Sequence, residues 1–249
     1  MTFAARAIVV ALLLQAATAR EARPLPDPKT FFDSVRSNLA RSQDEQKLFA
    51  YKERRTDLDL NPFGHVGTGG SRVIEVTPIA GGTAVNRRLL ERDGKPVVNS
   101  MPVRREIRMT GRGRSVVEDV AAALDVTIDH RDLLDGREAI VVTFKPRKNG
   151  NPRTREGRLA RNFAGQIWID EQAREVAQVD ATAVDDLSFG YGVLARLDEG
   201  ATVTVRRQPV EERLWLPVSI RFNGEGRALL FRKLRIDFAV DWFDYRRAL

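Results

Sequence analysis

Two segments near the C-terminal end restrict the fold more than any other feature of this chain. In one, Leu214, Leu216, Val218, Ile220 and Phe222 alternate with Trp215, Pro217, Ser219 and Arg221; in the other, Leu234, Ile236, Phe238, Val240 and Trp242 alternate with Lys233, Arg235, Asp237, Ala239 and Asp241. Successive side chains of a strand project to opposite faces, so each segment reads as a strand with one dry face and one wet face. An antiparallel sheet covered on one side explains that pattern, whereas strands buried on both faces are apolar throughout.

Strand signals of the same kind fill the second half of the chain. "DGREAIVVTFKP" puts Ile140, Val142 and Phe144 on one face before Pro146 ends the run, and strands are predicted over 165–170, 175–183, 201–208, 213–222 and 228–245, the last one bent. "GQIWIDEQAREVAQV", residues 165–179, reads as a hairpin in which Ile167 and Ile169 form one set and Trp168 the other. We expect the isoleucines on the apolar side, although alternation alone does not decide which set faces inward. Upstream, "RVIEV" and "NRRLLERDGKPV" are strands, with Asp93-Gly94 a tight hairpin turn.

Helical spacing is confined to two places. Asp27 caps and Pro28 opens a predicted helix over 27–48, with Phe31, Phe32, Val35 and Leu39 on one stripe. "SVVEDVAAALD" carries a capping-box signal in Ser115 and Glu118, but residues 98–125 are otherwise the least readable stretch. Eight or so strands joined by short turns imply a mainly β, α+β fold: an antiparallel sheet that curls, with its few helices on the concave side or at its mouth.

The first residues stand apart from this fold. Arg6, the apolar run from Ala7 to Leu14 and Ala17-Thr18-Ala19 have the three parts of an export signal, so residues 1–19 are expected to be removed and 20–249 to form a single domain. The apolar run is well short of the ~20 residues that span a bilayer. The chain has no cysteine, which excludes disulfides, thiolate metal sites, cysteine nucleophiles and a lipidated anchor; a soluble periplasmic protein is the expectation.

The formal charge of +7 raises the question of nucleic acid. Residues 145–161 concentrate seven basic side chains, among them Arg147, Lys148, Arg153, Arg155, Arg158 and Arg161, against one acid. They lack the interleaved aromatics or groove-reading helix of nucleic-acid modules. We read the segment as a solvated loop able to meet an anionic membrane surface or a protein partner, and expect no nucleic-acid partner.

Signals for catalysis are thin. The chain holds only His65 and His130, with no Gly-x-Ser-x-Gly elbow and no His-Glu-x-x-His. "GHVGTGGSR" lacks the lysine and following helix of a phosphate loop. Asp180, Asp185 and Asp186 do not keep calcium-loop register, although paired carboxylates drawn from distant positions stay open as a third, enzymatic reading. We expect no catalytic residues, no metal site and no cofactor.

Against this background, "FAGQIWIDEQAREVAQVDA" resembles the Gly-x-Ile-Trp-Ile-Asp hairpin of the bacterial outer-membrane lipoprotein-sorting family; "FGYGVLARLDEG", "RLWLPVSIRF" and "GRALLFRKLRIDF" continue the likeness over residues 137–245. The resemblance implies the periplasmic lipoprotein-carrier (LolA-like) fold, an unclosed half-barrel with helices plugging a hydrophobic hollow for acyl chains. On that basis the expected lining is Ile140, Val142, Phe144, Ile167, Ile169, Leu216, Val218, Ile220, Leu234, Ile236 and Phe238. The expected partners are lipid or lipoprotein acyl chains and inner- or outer-membrane proteins. A plain hydrophobic core, and an envelope module docking through its basic loop, are the alternatives.

Overall fold

The computed structural model describes residues 23–57, 70–79, 84–106, 116–189, 195–228 and 232–248. The first helix, α1 (Pro28–Gln46), begins as its sequence dictates: Asp27 accepts from the amide of Thr30 at 3.0 Å, and Pro28 occupies the first turn, where a missing N–H costs nothing. Phe31, Val35 and Ser42, spaced four and seven apart, form its buried stripe. Two short helices follow later, α2 (Val116–Ala123) and α3 (Arg155–Ala160), giving three among the described residues.

Among the described residues fourteen strands, rather than eight or so, form one antiparallel sheet. They are β1 (Phe49–Asp57), β2 (Ser71–Pro78), β3 (Ala84–Arg92), β4 (Lys95–Pro96), β5 (Val103–Glu106), β6 (Leu124–Leu134), β7 (Arg137–Pro146), β8 (Phe163–Asp170), β9 (Glu175–Ala183), β10 (Leu187–Phe189), β11 (Ala195–Leu197), β12 (Thr202–Glu211), β13 (Leu214–Ala228) and β14 (Arg232–Arg247). The main path runs β4-β3-β2-β1-β14-β13-β12-β9-β8-β7-β6, with β5 on β3 and β10–β11 beside β13. The sheet does not close into a barrel. Hairpin turns at Asp93-Gly94 and Asp135-Gly136 place both residues of each pair at positive φ, the geometry that matches the strands' own twist. Bulges interrupt the β1–β14, β2–β3, β6–β7, β8–β9 and β12–β13 ladders; each adds local twist, and together they curl the sheet.

The helices lie on the concave face. Phe31 and Val35 of α1 pack on Ile140, Val142 and Ile169. Around α2, Ala123 and Leu124 join Phe144, Phe163, Ala181 and Ala183. A third cluster of Phe49, Leu214 and Leu216 fills one end of the sheet. Each fully buried aliphatic or aromatic side chain contributes roughly 1.5–3 kcal/mol relative to its exposed state. No described helix is long and apolar enough to cross a membrane.

The basic segment departs from expectation, because part of it is helical rather than a solvated loop. Thr154 caps α3 by accepting from the amide of Gly157 at 3.0 Å. Beneath it the fully buried carboxylate of Asp119, on α2, accepts from the amides of Arg153 and Thr154 and from the Thr154 hydroxyl at 2.6 Å. Gly157 is required at this contact, since a Cβ there would sit 2.5 Å from that carboxylate. Six residues containing only Leu159 and Ala160 as apolar positions leave no periodic trace for sequence reasoning to find.

Candidate functional site

The expected lining residues fall on rows that cross the sheet. One row runs Ile128, Val142, Ile167, Val179, Val205, Ile220 and Val240, each opposite the next on adjacent strands from β6 to β14. A parallel row runs Phe144, Gly165, Ala181, Val203, Phe222 and Phe238. The Phe222 and Phe238 rings stack with centroids 5.4 Å apart. A Cβ on Gly165 would lie 2.0 Å from the carbonyl oxygen of Asp180, so that position admits no side chain.

Burial divides these residues into two groups. Ile140, Val142, Phe144 and Ile169 are buried under α1 and α2 and form solid core. Ile167, Val218, Ile220, Ile236 and Phe238 are only half-buried. Leu216 lies past a slip of the β12–β13 ladder between Arg206 and Arg207 and packs with Phe49 and Leu214, in a cluster separate from those under α1 and α2. Leu234 pairs with Gly226 in the β13–β14 ladder; its side chain lies outside the described residues. Trp168 sits on the outer face, where its Nε1 donates to Asp132 at 3.2 Å and, with the amide of Leu133, holds that carboxyl below the usual range; the Leu133 bond is the larger cause.

Beyond Val240 the first row changes character. Val240 stands opposite Arg55 of β1, Arg55 opposite Arg72 of β2, and Arg72 opposite Arg92 of β3. The Arg55 guanidinium lies 5.3 Å from the centre of the Phe238 ring, which places it on the same face as the stacked phenylalanines. Next to this row Arg87 pairs with Glu53 at 2.9 Å.

A buried ion pair fixes α1 over the sheet. Glu175 is 1% exposed and accepts from Ser42 Oγ at 2.9 Å and from Arg207 at 3.0 Å. The same guanidinium donates to the carbonyls of Val176 and Trp215. Burial lowers the Arg207 pKa, an effect the neighbouring Glu175 opposes. Close by, Tyr245 donates to the Pro217 carbonyl at 2.6 Å, and burial raises its hydroxyl pKa strongly. No periodic pattern in the sequence marks this cluster. Its one available signal is Arg207 itself, which falls where the Val203, Val205 alternation calls for another apolar residue.

The basic residues are presented from a braced support. Arg147 donates to Asp125 and to the Leu124 carbonyl, both at 2.8 Å, while Lys148, Arg153, Arg155, Arg158 and Arg161 are exposed. Leu159, between the last two, is 45% exposed.

Among the described residues, two cavities lie off the apolar rows. One of about 590 Å³ at the β6–β7 and β8–β9 hairpin ends is lined by Arg23, Arg137, Glu138, Asp170, Glu171 and Arg174, a charged rather than an apolar wall. Another of about 230 Å³ is lined in part by Ala139, Ala177, Pro209 and Trp215. The polar candidates are separate: His130 is exposed beside Asp129, Asp180 accepts from Gln178 at 2.6 Å, Asp185 caps the amide of Asp186, and Asp186 pairs with Arg196. His65 and residues 64–69 of the glycine-rich segment lie outside the described residues. Among the described residues no group of three or more His, Cys, Asp or Glu side chains is placed to hold a metal.

No family model matches the chain. No curated protein sequence matches it either. Solved structures do. A DUF1329 family protein from Desulfovibrio piger matches at 12% identity and a TM-score of 0.36, over 89% of this chain and 94% of its own. A LolA superfamily protein from Nitrosomonas europaea matches at 10% identity and a TM-score of 0.35, over 86% and 92%. An outer membrane lipoprotein-sorting protein domain from Vibrio parahaemolyticus matches at 11% identity and 0.35, over 86% and 91%.

Proposed function

We propose that this protein is an exported, non-enzymatic binder or carrier of lipids or lipoproteins in the bacterial periplasm, holding acyl chains on the concave face of its sheet. The observation that carries this reading is the uneven cover of that face. The apolar rows continue without a break from β7 to β14, yet the clusters under α1 and α2 leave Ile220, Phe222, Ile236 and Phe238 half-buried, Phe222 and Ile236 at the margin of the α2 cluster. An acyl chain laid on those residues gains about 0.8 kcal/mol per sheltered methylene. The test is extraction and mass spectrometry of lipid from protein isolated gently from its native periplasm. Co-purifying acyl species are expected, and protein free of lipid at every preparation would refute the reading.

A second reading has its own observation. Exposed Arg153, Arg155, Arg158 and Arg161 surround exposed Leu159 on a braced helix, a pattern suited to docking on an anionic membrane or an acidic protein partner. It predicts salt-sensitive binding to anionic vesicles with no lipid carried away.

A further inference from the structure

The row that crosses the concave face is amphiphilic along its length. From β6 to β14 it is aliphatic, and from β1 to β3 it consists of Arg55, Arg72 and Arg92. Adjacent strands lie ~4.8 Å apart, so three arginines occupy successive positions on one face. Like charges directly opposite one another in a sheet are destabilising. Elsewhere on these strands arginines meet acids: Arg87 pairs with Glu53, and Arg88 and Arg246 both pair with Glu75. Arg72 and Arg92, by contrast, are exposed and have no ion-pair partner among the described residues. An anion placed over the row removes the repulsion and accepts several charge-assisted hydrogen bonds.

The apolar side of the row supplies the other half of the ligand. Arg55 lies over the ring of Phe238, which stacks on Phe222, so guanidinium and aromatic surface are continuous. From Arg72 across Arg55 and Val240 to Ile220 is three strand spacings, ~14 Å. A single leaflet of the ~30 Å bilayer core has nearly that depth. We propose that this face binds an acidic glycerophospholipid, its phosphate seated on Arg55, Arg72 and Arg92 and one acyl chain running over Phe238, Phe222 and Ile220. The inference rests on the acyl-binding reading above and adds a headgroup site to it.

The experiment uses the full mature chain freed of bound lipid. It is incubated with vesicles containing equal amounts of phosphatidylglycerol and phosphatidylcholine of matched acyl chains, and the lipid carried by the protein is weighed by native mass spectrometry after the vesicles are removed. Loss of two guanidinium contacts corresponds to about a tenfold change in preference. The wild type is expected to carry phosphatidylglycerol in about tenfold excess. Arg72→Ser with Arg92→Ser should bring the ratio near one while total lipid stays unchanged. Arg54→Ser on the opposite face, and Arg153→Ser with Arg155→Ser and Arg158→Ser, should leave the ratio as in the wild type. Lipid carried without headgroup preference, or a preference that survives the Arg72/Arg92 double substitution, overturns the headgroup site and leaves the acyl-binding reading standing. Protein that carries no lipid overturns both. Displacement of phosphatidylglycerol by inorganic phosphate alone reassigns the arginines to a free anion and overturns the lipid assignment.

Discussion

Replacing Arg207 with Met should loosen α1 from the sheet. The substitution keeps an apolar stem of similar length but leaves Glu175, 1% exposed, without its cation; what remains near its carboxylate is Ser42 Oγ at 2.9 Å and the solvent-exposed Arg41 at 3.6 Å. The carbonyls of Val176 and Trp215 lose a donor as well. Removing one member of a buried ion pair costs about 3–5 kcal/mol, and the partial replacement by Arg41 favours the lower end, about 3 kcal/mol. For a domain of this size that lowers the melting temperature by about 6–12 °C. The double variant Arg207→Met with Glu175→Gln buries no charge and retains an acceptor for Ser42, so it should recover at least about 1 kcal/mol of the loss. Urea unfolding followed by circular dichroism gives all three values, with hydrogen exchange in 28–46 reporting the helix directly. If Arg207→Met costs under 1 kcal/mol, or the double variant loses the sum of its parts, the pair does not hold α1 and this account of the plug is wrong.

Four further outcomes follow from the same geometry. Ile220→Asp or Phe238→Asp places a charge on the half-buried face and should abolish co-purifying lipid with the fold intact by circular dichroism; unchanged loading refutes the inward assignment. Asp119→Ala leaves the amides of Arg153 and Thr154 without their acceptor at ~1–3 kcal/mol each, so stability should fall by about 3 kcal/mol in denaturant titration, and a loss below about 1 kcal/mol counts against the brace. Neutralising Arg153, Arg155 and Arg158 should weaken binding to anionic vesicles at 50 mM salt, with little difference left at about 500 mM, where screening is short-ranged; equal binding by wild type and variant at low salt excludes the loop as the contact. Asp132 has its folded pKa lowered by the Leu133 amide and Trp168, so their contribution is complete above the unfolded pKa and is lost as pH falls through the folded one. The Trp168 component of fluorescence, obtained by difference from Trp168→Phe, should therefore titrate below the ordinary aspartate range, and a midpoint inside that range contradicts the bond.

The periodic parts of the molecule were legible because burial on one face writes itself into the chain. Residues 214–222 and 234–242 alternate as β13 and β14 do, and the helix expected over 27–48 is α1, Pro28–Gln46, with the cap at Asp27. What escaped was set by contacts distant in sequence. Leu216 belongs to the same alternation as Ile220, yet it packs in a different cluster with Phe49 and Leu214, past a slip in the ladder that no local pattern records. The arginine row is invisible in sequence order because Arg55, Arg72 and Arg92 become neighbours only through strand register. Asp119 reads as an ordinary first-turn acid of a helix until the segment around Thr154 folds back on it. Alternation reveals which side chains share a face; it does not reveal what covers them.

The seam between β1 and β14 carries a consequence for biogenesis. The first strand of the sheet pairs along nearly its whole length with the last, from Phe49 opposite Arg247 to Asp57 opposite Phe238. Contacts between such remote parts of a chain are slow to form. The arginine-bearing strands thus have no neighbour on one side until residues 232–247 are in place, and their assembly waits on that segment. Loss of residues 238–247 would leave β1 as an open edge ready to recruit another molecule.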